Sequence, residues 1–296
     1  MGAAGSPGGG DLVPFVKMHA AGNAFVLVDG LEGLELDWAQ LAAQTADPHF
    51  AIGHDGLLVV LPSETADFRQ RMFNPDGTED MCGNGLRCVA KHVHDAGRVG
   101  SEVVLETTSG PRRIELLGAS GPTAQARCGL GVPSVRALPL RLSDLPPETT
   151  AALADAHRDA LDSALGGAVH VSLGTPHVVL HAEADLPDAA WAVLSEALEH
   201  RALDQEHTSV TWFRHAGSGA IAARFWERAV GETLACGTGA AASIVAARRA
   251  GVAGEEAAVL TRGGELRASW DGRGEVYVEG PATTVFTGRW PMASNG

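Results

Sequence analysis

"MCGNGLRCVAKH", Met81–His92, sets a cysteine directly before Gly-Asn-Gly, and a run that reads as helix begins at once. "ACGTGAAASIVAARRAG", Ala235–Gly251, repeats that grammar with Cys236, Gly237, Thr238 and Gly239. The spacing agrees as well. Fifteen positions separate Cys82 from Gly97 and Cys236 from Gly251, and twenty-eight separate Cys82 from Gly110 and Cys236 from Gly264. Gly77 and Gly231 each lie five positions before their cysteine, and "GNAFVLV" from Gly22 pairs with "GTPHVVL" from Gly174. A set of matches at fixed offsets is the mark of an internal duplication. The chain therefore reads as two copies of one unit.

Outward from the cysteines, each copy shows the same order of patterns. In the first, strand-length apolar runs stand at "LVPFVKMHA", "AFVLVDG", "GLLVVLP" and "FRQRMF", with a helix at "DWAQLAAQTAD". In the second, strands fall at "VHVSLG", "HVVLHAEA", "TSVTWF" and "AIAARFWER", with a helix at "DAAWAVLSEALEHR". After each cysteine helix, "VVLETTSGPRRIEL" and "AVLTRGGELRASW" read as strand, turn, strand. The expected fold class is α+β, with two pseudo-symmetric domains, each of mostly antiparallel strands around one central helix. Residues 11–132 form the first half, completed by a C-terminal strand over 284–296, and residues 133–283 form the second. Residues 1–10 read as a flexible tail with neither the basic start nor the apolar core of a signal peptide. The segment 117–135 is expected to carry the crossover, and 142–167 to be a surface helix joining the halves, with Leu153, Ala156, Ala160 and Leu161 as its apolar positions.

The bulk numbers narrow the function classes. At 296 residues and 45% hydrophobic content, the chain can build two real cores. A formal charge of −14 argues against nucleic acid and anionic membrane as partners, since both require a basic face. No apolar run reaches membrane-span length; the Ala-rich stretch after Cys236 is broken by Arg248 and Arg249. The expected location is the cytoplasm, where four cysteines need not pair. Self-association into a homodimer is left open. Lysine occurs only at Lys17 and Lys91, and neither sits in a recognisable pyridoxal context, so no pyridoxal cofactor is expected.

The thiols carry the chemistry. A helix N-terminus presents unpaired N–H groups and about half a positive charge, which lowers the pKa of a nearby thiol and favours a carboxylate. If the two halves face each other, a substrate carboxylate held by both helix mouths puts its α-carbon between two sulfurs. One thiolate removes the α-proton from one face and the other thiol delivers a proton to the opposite face. Donors aimed at the developing charge supply the stabilisation. A lone cysteine at a helix start is more often a small buried hydrophobe, but a duplicated pair before Gly-polar-Gly reverses that. A zinc site of Cys82, Cys88, His92 and His94 fits no common ligand spacing, and no metal is expected. Cys88 and Cys128 read as core residues. A non-catalytic amino-acid-binding protein is the rival from another class.

"KMHAAGNAF", "HDGLLVV", "MFNPDGTEDMCGNGLRC", "GTPHVV" and "FWERAVGETLACGTGA" together resemble the diaminopimelate epimerase family, over about residues 15–286. The resemblance implies a cofactor-independent racemase or epimerase acting on a small amino acid, with Cys82 and Cys236 as the acid–base pair. By motif, Asn23, Gly56, Asn74, Glu227 and Arg228 contact substrate, Gly83–Asn84 and Gly237–Thr238 hold the reacting carboxylate, and His177 plays a supporting role. Thr175 and Ser209 occupy positions where the family has substrate-binding asparagines, Ala24 replaces an Asp, and the loop from Asn74 to Cys82 is about one residue short. Those losses fall where the family grips the distal end of its substrate. The expectation is therefore a different polar amino acid, with the O-ureidoserine of cycloserine biosynthesis as first choice and LL-/meso-diaminopimelate as alternative. Proline racemases show a His where Asn84 stands, and phenazine-type isomerases lack the cysteine pair.

Overall fold

The computed structural model describes residues 12–153, 158–200, 208–228 and 230–292. The expected tail at 1–10, Ala156, Arg201 and the last four residues of the expected terminal strand lie outside them.

From its N-terminal side the chain runs β1 (Leu12–Ala20), β2 (Asn23–Asp29), α1 (Trp38–Thr45), β3 (Gly56–Leu61), β4 (Phe68–Phe73), β5 (Glu79–Asp80), α2 (Gly83–Asp95), β6 (Glu102–Thr107), β7 (Gly110–Ser120), β8 (Thr123–Gly129) and β9 (Ser134–Ala137). Two helices follow, α3 (Pro147–Ala152) and α4 (Arg158–Gly166). The second half runs β10 (Val169–Ser172), β11 (Pro176–His181), α5 (Asp188–His200), β12 (Ser209–His215), β13 (Ala220–Glu227), β14 (Gly231–Thr233), α6 (Gly237–Arg249), β15 (Glu256–Thr261), β16 (Gly264–Ser269) and β17 (Tyr277–Pro291).

The duplication holds at the level of pairing. β2 runs parallel to β3 and β4 to β6, just as β11 runs parallel to β12 and β13 to β15. The remaining pairs are antiparallel, so each half mixes two parallel contacts into a mainly antiparallel wall. β9, just past the expected boundary at residue 132, pairs with β10 of the second half, while the far end of β17 returns to the first half to pair with β1. β8 and the near end of β17 pair with each other at the seam. One continuous sheet of the described strands results.

The repeated glycines have a conformational cause. Gly22 and Gly174, Gly77 and Gly231, Gly97 and Gly251, and Gly110 and Gly264 all have positive φ, the region where a Cβ is disfavoured. At the helix ends the reason is specific. Gly97 N–H donates to His94 O and Arg98 N–H to Val93 O; Gly251 N–H donates to Arg248 O and Val252 N–H to Ala247 O. Both are Schellman caps. The fifteen-position spacing is thus the distance from a helix's N-cap cysteine to its C-terminal glycine.

α2 and α6 lie inside the strand walls. Every described residue of α6 from Gly237 to Ala247 is buried, as is α2 from Gly83 to Lys91. Small residues in α6 let the strands approach closely. The main core joins both helices with residues such as Phe25, Leu58, Ile114, Phe213, Phe225 and Val259. α1 covers the outside of the first sheet through Trp38 and Leu41. On the second half the same office falls to α5, together with α3 and α4.

That last point corrects the expected surface connector at 142–167. The segment is two helices, and Leu145, Leu153, Leu161 and Leu165 are buried against Trp191, Leu194, Val178 and Trp212. Ala160, expected on the apolar face, is exposed. The apolar stripe had a sheet to cover, not only a linker to hold. Among the described residues, no helix is long and apolar enough to cross a membrane.

Candidate active site

Both cysteines are the N-caps of their helices. Cys82 has an extended backbone (φ −126°) and its sulfur accepts from Gly85 N–H at 3.4 Å. Cys236 repeats this with φ −132° and Gly239 N–H at 3.4 Å. A cysteine in the place of the usual Ser, Thr or Asp cap makes the thiol part of the helix start. The two starts abut. A Cβ built on Gly237 would stand 3.0 Å from Asn84 Oδ1, 3.1 Å from Asn84 N and 3.1 Å from the Gly83 carbonyl carbon. A Cβ on Gly83 would stand 3.4 Å from Thr238 N. Two helix N-termini therefore point into one place, with little room left between them.

One cavity lies there. It is lined by Asn23, Asn74, Cys82, Gly83, Asn84, Thr175, Ser209, Glu227, Arg228, Cys236, Gly237 and Thr238, twelve of the residues singled out from sequence. Gly56 and His177 are not among the lining residues. Gly56 opens β3 in the core, with room limited by Met72 and Phe25. The parallel registers explain this: Gly56 pairs with Phe25 as Ser209 pairs with His177. Gly56 is thus the counterpart of Ser209 but has no side chain to reach the cavity, which corrects its expected contact. Sequence reasoning missed Asp55, Met72, Asp80, Met81, Val230 and Thr233, which also line it. Asp55 and Asp80 stood within the quoted motifs, beside residues that were chosen.

Hydrogen bonds fix the polar lining. Asp55 Oδ2 accepts from Asn23 Nδ2 at 2.9 Å and from Ala24 N at 2.7 Å. Asn23 Oδ1 accepts from Asn84 Nδ2 at 3.2 Å and faces the Cys82 thiol at 4.0 Å. Asn84 Nδ2 also donates to Ala235 O at 2.9 Å, while its Oδ1 accepts from the buried Arg87 guanidinium at 2.7 Å. On the other side, Thr238 Oγ1 lies 3.4 Å from Cys236 Sγ and 2.9 Å from His177 Nε2, and His177 Nδ1 lies 3.1 Å from Thr211 Oγ1. Burial lowers the His177 pKa to about 3, so the ring is neutral. It holds the Thr238 hydroxyl beside the sulfur from behind the cavity wall.

The thiols differ from expectation in their acidity. Burial, and then the nearby Glu227 carboxylate, push the Cys82 and Cys236 thiols well above the ordinary value. The helix-mouth amides do lower them, but by less. Removing a sulfur from water outweighs a few partial charges. Glu227 is itself shifted. Burial raises its carboxyl to about 7, against the lowering by Thr233, whose hydroxyl donates at 2.5 Å, and by Cys236; Asp55 and Asp80 raise it further. Cys88 and Cys128 are buried on the core side, with burial raising both to about 12. The other members of the conceivable zinc set turn elsewhere, His92 to Asp29 and His94 to Gly100 O.

Two desolvated thiols flanking convergent helix mouths can hold an anionic group and exchange protons with an atom between them. Comparison with known proteins gives the family. The family model described as diaminopimelate epimerase matches residues 15–130 and 169–285. A diaminopimelate epimerase of Desulfovibrio desulfuricans is 37% identical over 93% of this chain and 97% of its own length. One of Desulforudis audaxviator is 38% identical over 94% of this chain and 99% of its own length. Among solved structures, a probable proline racemase from Agrobacterium radiobacter shares the fold, with TM-score 0.69 and 16% identity over 96% of this chain and 94% of that one. The chain belongs to the diaminopimelate epimerase family and is an isomerase of the racemase and epimerase class.

Proposed function

We propose that this protein inverts the α-carbon of diaminopimelate, interconverting the LL and meso forms by proton transfer between Cys82 and Cys236 without a cofactor. The observation that carries the reading is the pair of N-cap thiols on one cavity, set by two helix mouths that abut at Gly83 and Gly237. The substrate assignment is supported by full-length relatives of that name at 34–38% identity.

The chemistry follows from the site. Both thiols are neutral in the substrate-free site, so one must lose its proton first. Cys236 lies against Glu227, whose carboxyl titrates near neutrality. Transfer of the Cys236 proton to Glu227 leaves a thiolate and a carboxylic acid. The first-turn amides at Gly83–Asn84 and Gly237–Thr238 then hold the substrate α-carboxylate. The thiolate takes the α-proton and becomes a thiol, and the electron pair left on carbon delocalises into the carboxylate facing those amides. The opposite thiol gives its proton to the other face of the carbon and becomes the thiolate. The next turnover runs in the reverse sense.

The cavity, about 30 Å³, has room for little more than a water. Substrate admission therefore requires the two halves to part at the mouths of α2 and α6, and closure around the substrate excludes water.

A second reading has its own support. Thr175 Oγ1 donates to Met81 O at 3.5 Å, and Ser209 Oγ accepts from Arg228 N at 3.3 Å. Both hydroxyls are engaged locally, and neither offers the two donors of an amide. A smaller polar amino acid such as O-ureidoserine fits that loss. Following the α-proton signal of LL-diaminopimelate and of L-O-ureidoserine in D₂O separates the two. Efficient exchange of the first establishes the main reading; exchange of the second alone replaces it. In either case Cys82→Ala and Cys236→Ala should each lower turnover by about 10³-fold or more while the protein stays folded. Full activity in either variant would remove the two-thiol mechanism.

A further inference from the structure

Asp80 and Arg228 form an ion pair across the cleft between the halves. Asp80 ends β5 in the first half; Arg228 follows β13 in the second. Both line the cavity that holds the thiols, where Arg228 is the basic side chain among the described lining residues and Asp55, Asp80 and Glu227 are the acids. Asp55 is occupied by Asn23 and Ala24, and Glu227 by Thr233 and Cys236. Asp80 is held differently. Its Oδ1 accepts from Met81 N at 2.7 Å, which fixes the carboxylate, and its Oδ2 faces Arg228.

The pair occurs once, although the fold is duplicated. Arg228 stands three residues before Gly231, as Asn74 stands three before Gly77. Asp80 stands two before Cys82, and its counterpart two before Cys236 is Leu234, which is exposed. The charges therefore do not belong to the repeat's folding. They add to the cavity an acid and a base that the repeat does not supply.

We propose that Asp80 is a specificity-determining residue that binds a distal ammonium group of the substrate. The inference rests on the reading that an amino-acid α-carbon lies between the thiols. A distal ammonium and carboxylate on one carbon present opposite charges side by side, as Asp80 and Arg228 do. On binding, the Asp80–Arg228 contact opens, the distal carboxylate takes Arg228 and the distal ammonium takes Asp80. No charge is left unpaired, whereas the hydroxyls of Thr175 and Ser209 could not neutralise an ammonium.

The test is titration calorimetry of the whole protein and its Asp80→Asn variant with three ligands: LL-diaminopimelate, L-2-aminoheptanedioate, which lacks the distal ammonium, and L-lysine, which lacks the distal carboxylate. Asp80→Asn keeps size and the Met81 bond. It should weaken diaminopimelate and lysine relative to 2-aminoheptanedioate by about tenfold or more, and Asp80→Glu should restore part of the preference. An unchanged or inverted preference, or no binding of any of the three to either protein, overturns the proposal. Calorimetry needs no turnover, so a wild-type protein that binds with this preference but exchanges no α-proton in D₂O would defeat the functional reading and leave the Asp80 assignment standing.

Discussion

Gly237 and Gly83 meet backbone to backbone where α6 and α2 begin, and the contact is tighter on the Gly237 side. A Cβ there would crowd Asn84 and the Gly83 carbonyl at 3.0–3.1 Å, whereas one on Gly83 would make ordinary contacts at 3.4 Å. The two motifs look alike in sequence, yet their tolerance differs. Gly237→Ala should make Asn84 and the Gly83 backbone give by a few tenths of an ångström and lower kcat/KM by more than about tenfold, short of the ~10²-fold of an ångström-sized misplacement of a reacting group. Gly83→Ala should cost about tenfold or less. Equal losses would show that the mouths are not held by this contact.

The C-terminal glycines of the same helices test a different force. Gly97 and Gly251 have φ of 69° and 71°, and a Cβ at either would meet nothing within 4 Å. Substitution is therefore a matter of backbone strain alone. Gly97→Ala and Gly251→Ala should each destabilise the protein by about 1–2 kcal/mol, with activity per folded molecule unchanged. Urea denaturation with a D₂O exchange assay reads both quantities. A loss in only one of the two would break the equivalence of the halves.

Those helices, their caps and the repeat were readable in the sequence because each depends on residues within one or two turns. Thr238 beside Cys236 and Asn84 beside Cys82 followed from the same local grammar. The α3–α4 segment was not readable as core, because what its leucines cover is α5 and the second sheet, far along the chain. The thiol acidity was misjudged for a related reason: the helix mouth is local, but burial comes from the closure of two halves. Asp80 drew no notice because its meaning lies in a partner 148 positions away.

Glu227 should set the acidic limb of the activity profile. Its folded pKa, about 7, lies above the ordinary carboxylate value, so it is protonated below neutrality and then cannot accept the Cys236 proton. Activity of the free enzyme should rise with pH through about 7. Glu227→Gln should remove that limb and lower kcat. Stability runs the other way. A raised carboxyl favours the folded state at low pH, and this contribution is lost as pH rises from the unfolded value through about 7. The glutamine variant should therefore gain thermal stability relative to the parent at pH 8 and not at pH 4.5. A parent profile flat between pH 6 and 8 would exclude the role.

Arg87 lies fully buried on α2, one turn from Asn84. Its guanidinium donates to Asn84 Oδ1 at 2.7 Å and to Pro281 O at 3.3 Å, and its remaining nitrogen has no partner among the described residues. The Asn84 bond determines which way that amide points. With Oδ1 taken by Arg87, Nδ2 must face Asn23 Oδ1 and Ala235 O, which leaves Asn23 to present its own Nδ2 to Asp55. The order of donors beside Cys82 thus starts at a side chain outside the cavity. Arg87→Met removes the lock and lets the Asn84 amide turn. We expect kcat to fall by about 10–10²-fold with a smaller change in KM, because the loss is in alignment rather than in a substrate contact. Arg87→Lys should recover little, since an ammonium on a shorter reach cannot serve Asn84 and Pro281 together. A Met variant with normal kcat and only reduced stability would reduce Arg87 to a packing role.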